Sequence, residues 1–293
     1  MAIFLSILVA ILWACFDAIR KQSIQFISEI NALFLIVIAQ FFLFLFFLSF
    51  SDFQIDIYSY YIYGIFLIFL NLISMYMFLK VLKKGEISTY IPMLSFTPLF
   101  SALYSRFILT EKLQTSQYFG IFLVIFGALL IYSKSFKFKY FLKPSMLKFN
   151  NSNKNLYFII IVSLIWSLTP VLDKQCLNYT DPYMHGFIQS AGMLIIVPII
   201  LNYKELKYNF NFKINILLIG LVLIGFLASL VQLIALKYNL VAVLESLKRG
   251  IGISLSLFFG YYFFNEKITY KKFISVFIMI IGVFNIINFT DFT

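Results

Sequence analysis

Histidine occurs once in this chain of 293 residues and cysteine twice, and charged side chains make up only 12% of it. One imidazole and no cysteine cluster leave haem, zinc and iron–sulfur chemistry without a ligand set. Cys15 and Cys176 both fall in apolar runs, where they read as small packing residues and not as a disulfide framework. The scarcity of charge excludes more. A soluble fold of this length would bury about three quarters of its surface and still need far more charge to cover the rest. Nor is there a glycine-rich phosphate loop, an HExxH, a nucleophile elbow or an acid pair at catalytic spacing. Neither enzymatic activity, nor a cofactor, nor ATP-driven transport is therefore expected.

What is there is apolar: 62% hydrophobic residues, a fifth of the chain aromatic. A hydrocarbon core of about 30 Å needs about 20 apolar residues per helix. The chain parses at that length into spans 2–20, 31–50, 59–80, 87–109, 117–133, 155–173, 183–201, 214–236, 241–264 and 272–290. The first run has no basic residue before it and no small-residue cleavage site, so it reads as a retained helix. The expected fold is an all-α polytopic membrane protein of ten transmembrane helices, multi-pass in the cell (inner) membrane. The net charge of +11 sits mostly in short connections, above all on Lys134, Lys137, Lys139, Lys143, Lys148 and Lys154. Such scattered lysines read as membrane-flanking anchors and topology signals, not as a nucleic-acid surface. Counted by loop, they place both termini outside the cytoplasm.

The second half of the chain restates the first. Helix 1 reads ILVAILWACFDAIRKQSI and helix 6 reads IIVSLIWSLTPVLDKQCL, with Trp13 over Trp166, Lys21 over Lys174 and Gln22 over Gln175. The ends match too: LTEKLQTSQYFGIFLVIFGALLI against FNEKITYKKFISVFIMIIGVFNI sets Glu111–Lys112 over Glu266–Lys267 and Gly127 over Gly282. An odd number of spans per half makes the second copy enter the membrane from the opposite side. The expected organisation is two inverted five-helix repeats, 1–136 and 155–293, joined by a basic loop at 137–154. Secondary transporters are built this way, with a substrate site near the midplane and alternating access by rocking of the halves.

On these residues the chain resembles a drug/metabolite transporter superfamily member of the EamA type over essentially its whole length. The likeness is carried by Trp13 with Arg20 near the end of helix 1, by Pro92 and Pro98 in helix 4, and by Glu111 with Gly127 and Glu266 with Gly282. The resemblance implies ten helices in two repeats, and it implies both termini inside, opposite to the charge count. Helix 9 departs from the family's proline-containing pattern and reads ESLKRGIGIS.

Charges inside apolar spans cost about 2.5–3.5 kcal/mol each on insertion scales, so each is a functional candidate. Glu245, Lys248 and Arg249 lie within about one turn of helix 9, followed by Gly250 and Gly252. The i,i+3 and i,i+4 spacings let Glu245 face both cations; it neutralises one, leaving the other for an anionic ligand, or the three form a structural cluster. Helix 4 offers Ser95 and Thr97 beside its prolines, as cavity lining or as a kinked packing helix. Asp17 is the candidate coupling residue, although an ion pair with Arg20 or Lys21 explains it equally. Asp173 and His185 read as interfacial. Asn71, Gln232, Gln40 and Gln189 are lone amides whose default is interhelical hydrogen bonding, and Asn71 and Gln232, with Trp13 and Trp166, complete the candidate site.

The reading is a secondary transporter or exporter of a small polar metabolite, anionic or zwitterionic and amino-acid-like. Its central site is expected to be lined by helices 1, 3, 4, 6, 8 and 9, and its partners are a small-molecule substrate and the lipid bilayer. The alternatives are a phosphorylated metabolite or nucleotide sugar as substrate, which an Arg/Lys pair also suits, or a non-transport membrane scaffold subunit. The sequence leaves the oligomeric state open.

Overall fold

The computed structural model describes residues 1–84, 91–132, 151–200, 212–267 and 269–288. Among them run ten α-helices: α1 (Ala2–Ser23), α2 (Glu29–Phe47), α3 (Ile57–Lys84), α4 (Thr97–Ile108), α5 (Thr115–Tyr132), α6 (Asn151–Cys176), α7 (Pro182–Ile200), α8 (Phe212–Tyr238), α9 (Val241–Phe264) and α10 (Tyr270–Asn288). The described residues contain no strand, only an isolated bridge between Ile55 and Thr180. Lys134, Lys137, Lys139, Lys143 and Lys148 of the basic connection lie outside the described residues.

The apolar runs fix these helices closely, with one correction. The span expected at 87–109 is not one α-helix: a 3-10 segment, Ile91–Phe96, precedes α4, and residues 87–90 lie outside the described set. The prolines explain the break. Pro98 stands in the first turn of α4, where an absent N–H costs nothing, and Pro92 likewise has no donor for an α-helical ladder.

By length and composition six of the helices are able to cross a membrane. Their outward faces carry large apolar side chains that water would not tolerate: Phe4, Phe46, Phe107 and Tyr262 are all more than 60% exposed. Lipid is the solvent such a surface fits, and the closed hydrogen-bond ladders of the helices meet its demand that no backbone group be left bare. The chain is a multi-pass membrane protein.

Helix α1 packs on α8 and α9, α3 packs on α6 and α7, α2 on α7, and α4 between α6 and α9, while α5 and α10 form a close pair at one side. Glycine makes that last approach possible. A Cβ at Gly127 would stand 2.7 Å from the Ser275 carbonyl oxygen, and Cβ atoms at Gly120 and Gly282 would each stand 2.8 Å from the other's carbonyl oxygen. Backbone against backbone cannot yield as a flexible side chain can, so close packing of small residues holds the pair. Gly282→Leu is expected to force the two helices apart and to destabilise the chain by about 1–3 kcal/mol or more. Since neither helix borders the central cavity, ligand affinity of the folded fraction should hold. Detergent-solubilised melting curves, with ligand titrations on the surviving fold, check both halves of that expectation.

The helix ends at Thr110 and Asn265 share one local structure. Both residues are left-handed, at φ 57° and 51°, and the amide that follows reaches back six residues, Glu111 to Ser105 O at 3.2 Å and Glu266 to Gly260 O at 2.8 Å. The turn redirects the chain so that each glutamate points back at the bundle.

Candidate functional site

The helices enclose a cavity of about 150 Å³. Its walls come from α1, α2, α3, α6, α7, α8 and α9, with Ile91 from the 3-10 segment. The expected lining is corrected in part: α2 and α7 also contribute, through Gln40, Phe44, His185 and Gln189, and the fourth span, expected at 87–109, enters through Ile91 and not through α4. Ser95 is buried away from the cavity, and Thr97 reaches the site only by accepting a 2.8 Å hydrogen bond from Arg249 Nε. Pro170, inside α6, also borders the cavity; it leaves a carbonyl without its helical donor, and the Ser101 hydroxyl serves the adjacent Ser167 carbonyl at 3.0 Å.

One end is basic. Glu245 is fully buried; its Oε1 accepts from Lys248 Nζ at 2.6 Å, and Arg249 stands 3.6 Å from its other oxygen. Lys248 also donates to Gln232 Oε1 at 2.9 Å. The spacing in the sequence allows either cation as partner, and the structure gives Lys248 the close contact. Two aromatic rings back the cluster: Lys248 lies 5.1 Å from the centroid of Trp13, and Arg249 lies 5.9 Å from that of Trp166. Gly252, one turn from Lys248, lines the cavity with open space where its Cβ would be.

Arg20 is 1% exposed and pairs with Asp17, three residues back on α1. Its guanidinium faces the rings of Phe16 at 4.2 Å and Phe78 at 4.8 Å, so a strongly solvated charge has exchanged water for π faces and one carboxylate. Asp17 and Arg20 line the cavity, as do Asn71 and Gln232. Gln40 donates to Ser229 at 3.1 Å, and all four lone amides of the sequence face the same space.

The other end is acidic, and here the interfacial reading of Asp173 and His185 is overturned. Both are buried and line the cavity. His185 Nε2 sits 3.1 Å from Asp173 Oδ1, and its Nδ1 sits 2.8 Å from the Tyr60 hydroxyl. Gln189 Nε2 donates to that hydroxyl at 3.3 Å and to the Gly64 carbonyl at 3.0 Å. Residue-by-residue reading missed this network because its members come from α3, α6 and α7. One signal was available: in the register of the repeat, Arg20 stands over Asp173, opposite charges at equivalent places.

Two further ion pairs lie outside the cavity and tie the two parts of the chain together. Lys21 donates to Glu266 at 2.9 Å, and Lys174 donates to Glu111 at 2.6 Å. Glu111 also accepts the Val241 amide at 3.0 Å, at the positive end of α9. The pairs are at opposite ends of the bundle. Asn239, whose carbonyl accepts from Lys174 at 2.6 Å, donates its side-chain amide to the Ala2 carbonyl. The Lys174 pair is thus at the start of α1 and the Lys21 pair at its finish, about 28 Å along the helix axis.

Residues 1–133 and 153–288 match the EamA-like transporter family. None of the curated proteins compared matches the chain. Among solved structures, one titled "Crystal structure of protein" is similar with a TM-score of 0.71 and 13% identity, over 97% of this chain and 96% of its own. That likeness is one of fold.

Proposed function

The chain belongs to the EamA-like transporter family, a transporter and not an enzyme family, and from that premise we propose that it is a secondary transporter of a small anionic or zwitterionic metabolite. The observation that carries this reading is the basic cluster of α9 in the cavity wall: Lys248 and Arg249 share one carboxylate, Glu245, so the cluster keeps a net positive charge away from water. A buried surplus charge is costly until a ligand neutralises it. Lys248 holds Glu245 closely, so Arg249, whose outer nitrogens come no nearer to Glu245 than the 3.6 Å contact, is the ligand-facing cation. Its planar fork suits a carboxylate. Trp13 and Trp166 frame the site, Asn71 and Gln232 orient the ligand, and Asp17 is the carboxylate for ion coupling.

The test is thermal stabilisation of the purified chain across a metabolite panel, since a ligand that binds only the folded state raises its melting point. Arg249→Gln should weaken a stabilising carboxylate by about 30-fold or more. An affinity that survives Arg249→Gln and Lys248→Gln alike would remove the α9 cluster from the binding site.

Alternating access between inverted halves 1–136 and 155–293 is the proposed mechanism. Supporting it are the sequence repeat and the reciprocity of the two outer ion pairs. Lys21 of the first half meets Glu266 of the second, and Lys174 of the second meets Glu111 of the first. Each pair then closes one end of the path. With Cys15 and Cys176 replaced by serine, and Ala14→Cys placed in the cavity wall, an impermeant thiol reagent reports access. Glu111→Gln should raise the labelling rate from one side and Glu266→Gln from the other, each by about fivefold, the effect of roughly 1 kcal/mol on a two-state equilibrium. Equal labelling from both sides in both variants would argue against closure by these pairs.

A further inference from the structure

The acidic end of the cavity holds a carboxylate that the network around it does not neutralise. Among the described residues Asp173 takes one hydrogen bond, from His185 Nε2, which leaves its second oxygen without a donor. With Nε2–H given to Asp173, the imidazole accepts the Tyr60 hydroxyl proton at Nδ1, and both ring nitrogens are satisfied in the neutral form. With the imidazole in that form Asp173 has no cation of its own among the described residues, and it stands in the same cavity as the surplus of opposite sign on α9.

A second, independent observation points to what fills this end. Gln189 is 6% exposed, and its Oε1 has no hydrogen-bond partner among the described residues. The amide cannot be turned to cure this: the Gly64 carbonyl is only an acceptor, so Nε2 must face it and Oε1 must face away. A buried amide oxygen without a donor costs free energy that a ligand N–H recovers. At the basic end the unpartnered atoms among the described residues are the donors Trp13 Nε1 and Arg20 Nε and one acceptor, Glu245 Oε2, which Arg249 faces at 3.6 Å. Beside Asp173 the unmet group is the Gln189 acceptor, the place for a ligand donor.

We propose that Asp173 and Gln189, held by His185 and Tyr60, form a subsite for a protonated amine, and that the transported molecule is a zwitterion with its carboxylate at Arg249 and its ammonium at Asp173. This deepens the transport reading given above and rests on it for the anionic end. Trp166, over which Arg249 lies, precedes Asp173 by seven residues on α6, about 10 Å of rise. That span suits an amine carried several bonds from the carboxylate, on the scale of an ω-amino acid or a diamino acid. An ammonium donates up to three hydrogen bonds, and Asp173, Gln189 and one further wall acceptor can take them.

The experiment is a binding series on the purified full-length chain with 5-aminopentanoate, lysine, pentanoate and pentylamine, read by thermal shift and calorimetry. One or both zwitterions should bind at least about tenfold more tightly than pentanoate, the amount a charge-assisted hydrogen-bonded pair supplies. Asp173→Asn should bring the zwitterion down to the affinity of pentanoate and leave pentanoate itself unchanged. Gln189→Leu, which removes the unmet oxygen and keeps the carboxylate, should take away part of the same difference, and serves if the Asp173 variant does not fold. No zwitterion preferred over pentanoate in the wild-type chain overturns the subsite. The two readings fail differently: loss of all carboxylate binding preference with pentylamine still bound, and lost in Asp173→Asn, defeats the Arg249 site and keeps this one, whereas pentanoate and 5-aminopentanoate bound equally through Arg249 does the reverse.

Discussion

Glu245→Ala is expected to lower the stability of the folded chain by about 3–5 kcal/mol, the cost of leaving a buried ion pair without one partner. Glu245 is fully buried and is the carboxylate within reach of both Lys248 and Arg249. Its removal leaves two adjacent like charges on α9 without a counter-ion and orphans a donor on Lys248. The nearest other carboxylate in the cavity wall, Asp17, is already engaged by Arg20. A compensating change should therefore recover much of the loss: Glu245→Gln with Lys248→Met restores the balance of charge and fills the volume, and should return more than half of the deficit. Unfolding in denaturing detergent, measured on the single and double variants, checks this. A single variant within about 1 kcal/mol of the wild type would mean that water reaches the cluster and screens it.

The second large effect is expected from Gly252→Leu, and it should leave stability alone. Among the described residues no atom lies within 4 Å of the position a Cβ would take at Gly252, and the residue borders the cavity. A leucine there starts in open space and extends into the cavity beside the basic cluster. In a cavity of about 150 Å³ four added carbons exclude most of any ligand, so affinity should fall by about 100-fold or more, while the melting point in the absence of ligand stays put. Gly250 is the contrast. Its Cβ would stand 2.1 Å from a Val283 methyl group, so Gly250→Leu should damage folding and not binding. Should Gly252→Leu transport and bind normally, the cavity is not the substrate site.

The candidate site was legible in the sequence where its chemistry is local. Glu245, Lys248 and Arg249 share one turn, so their mutual contact follows from helical spacing alone. The pair Asp17–Arg20 was readable for the same reason. Asp173 and His185 were not: each, taken singly, stands within a few residues of a helix end, where an interfacial role is the default. The α3 helix changes that reading. Tyr60 from α3 and Asp173 from α6 converge on His185, and no pattern within any one segment carries that information. The fourth span shows the converse: its prolines were visible and their local effect foreseeable, yet the expected length of about 20 apolar residues was met by a 3-10 segment followed by a 12-residue helix.

Hydropathy by itself determined that this chain lives in a membrane and where most helices of the described residues start and stop, because span length is a local property set by bilayer thickness and backbone hydrogen bonding. Repetition within the sequence set which positions correspond between the halves, Trp13 with Trp166 and Lys21 with Lys174. Only the tertiary structure decided which partner each buried charge takes. Lys21 is one residue from Arg20 and four from Asp17, yet it turns to Glu266, 245 residues away, and Lys174 turns to Glu111 instead of to Asp173 beside it. The reason is physical: a buried ion pair is stable only at hydrogen-bond distance and with its remaining groups satisfied, and what comes within 3 Å is settled by how the helices pack across the bundle.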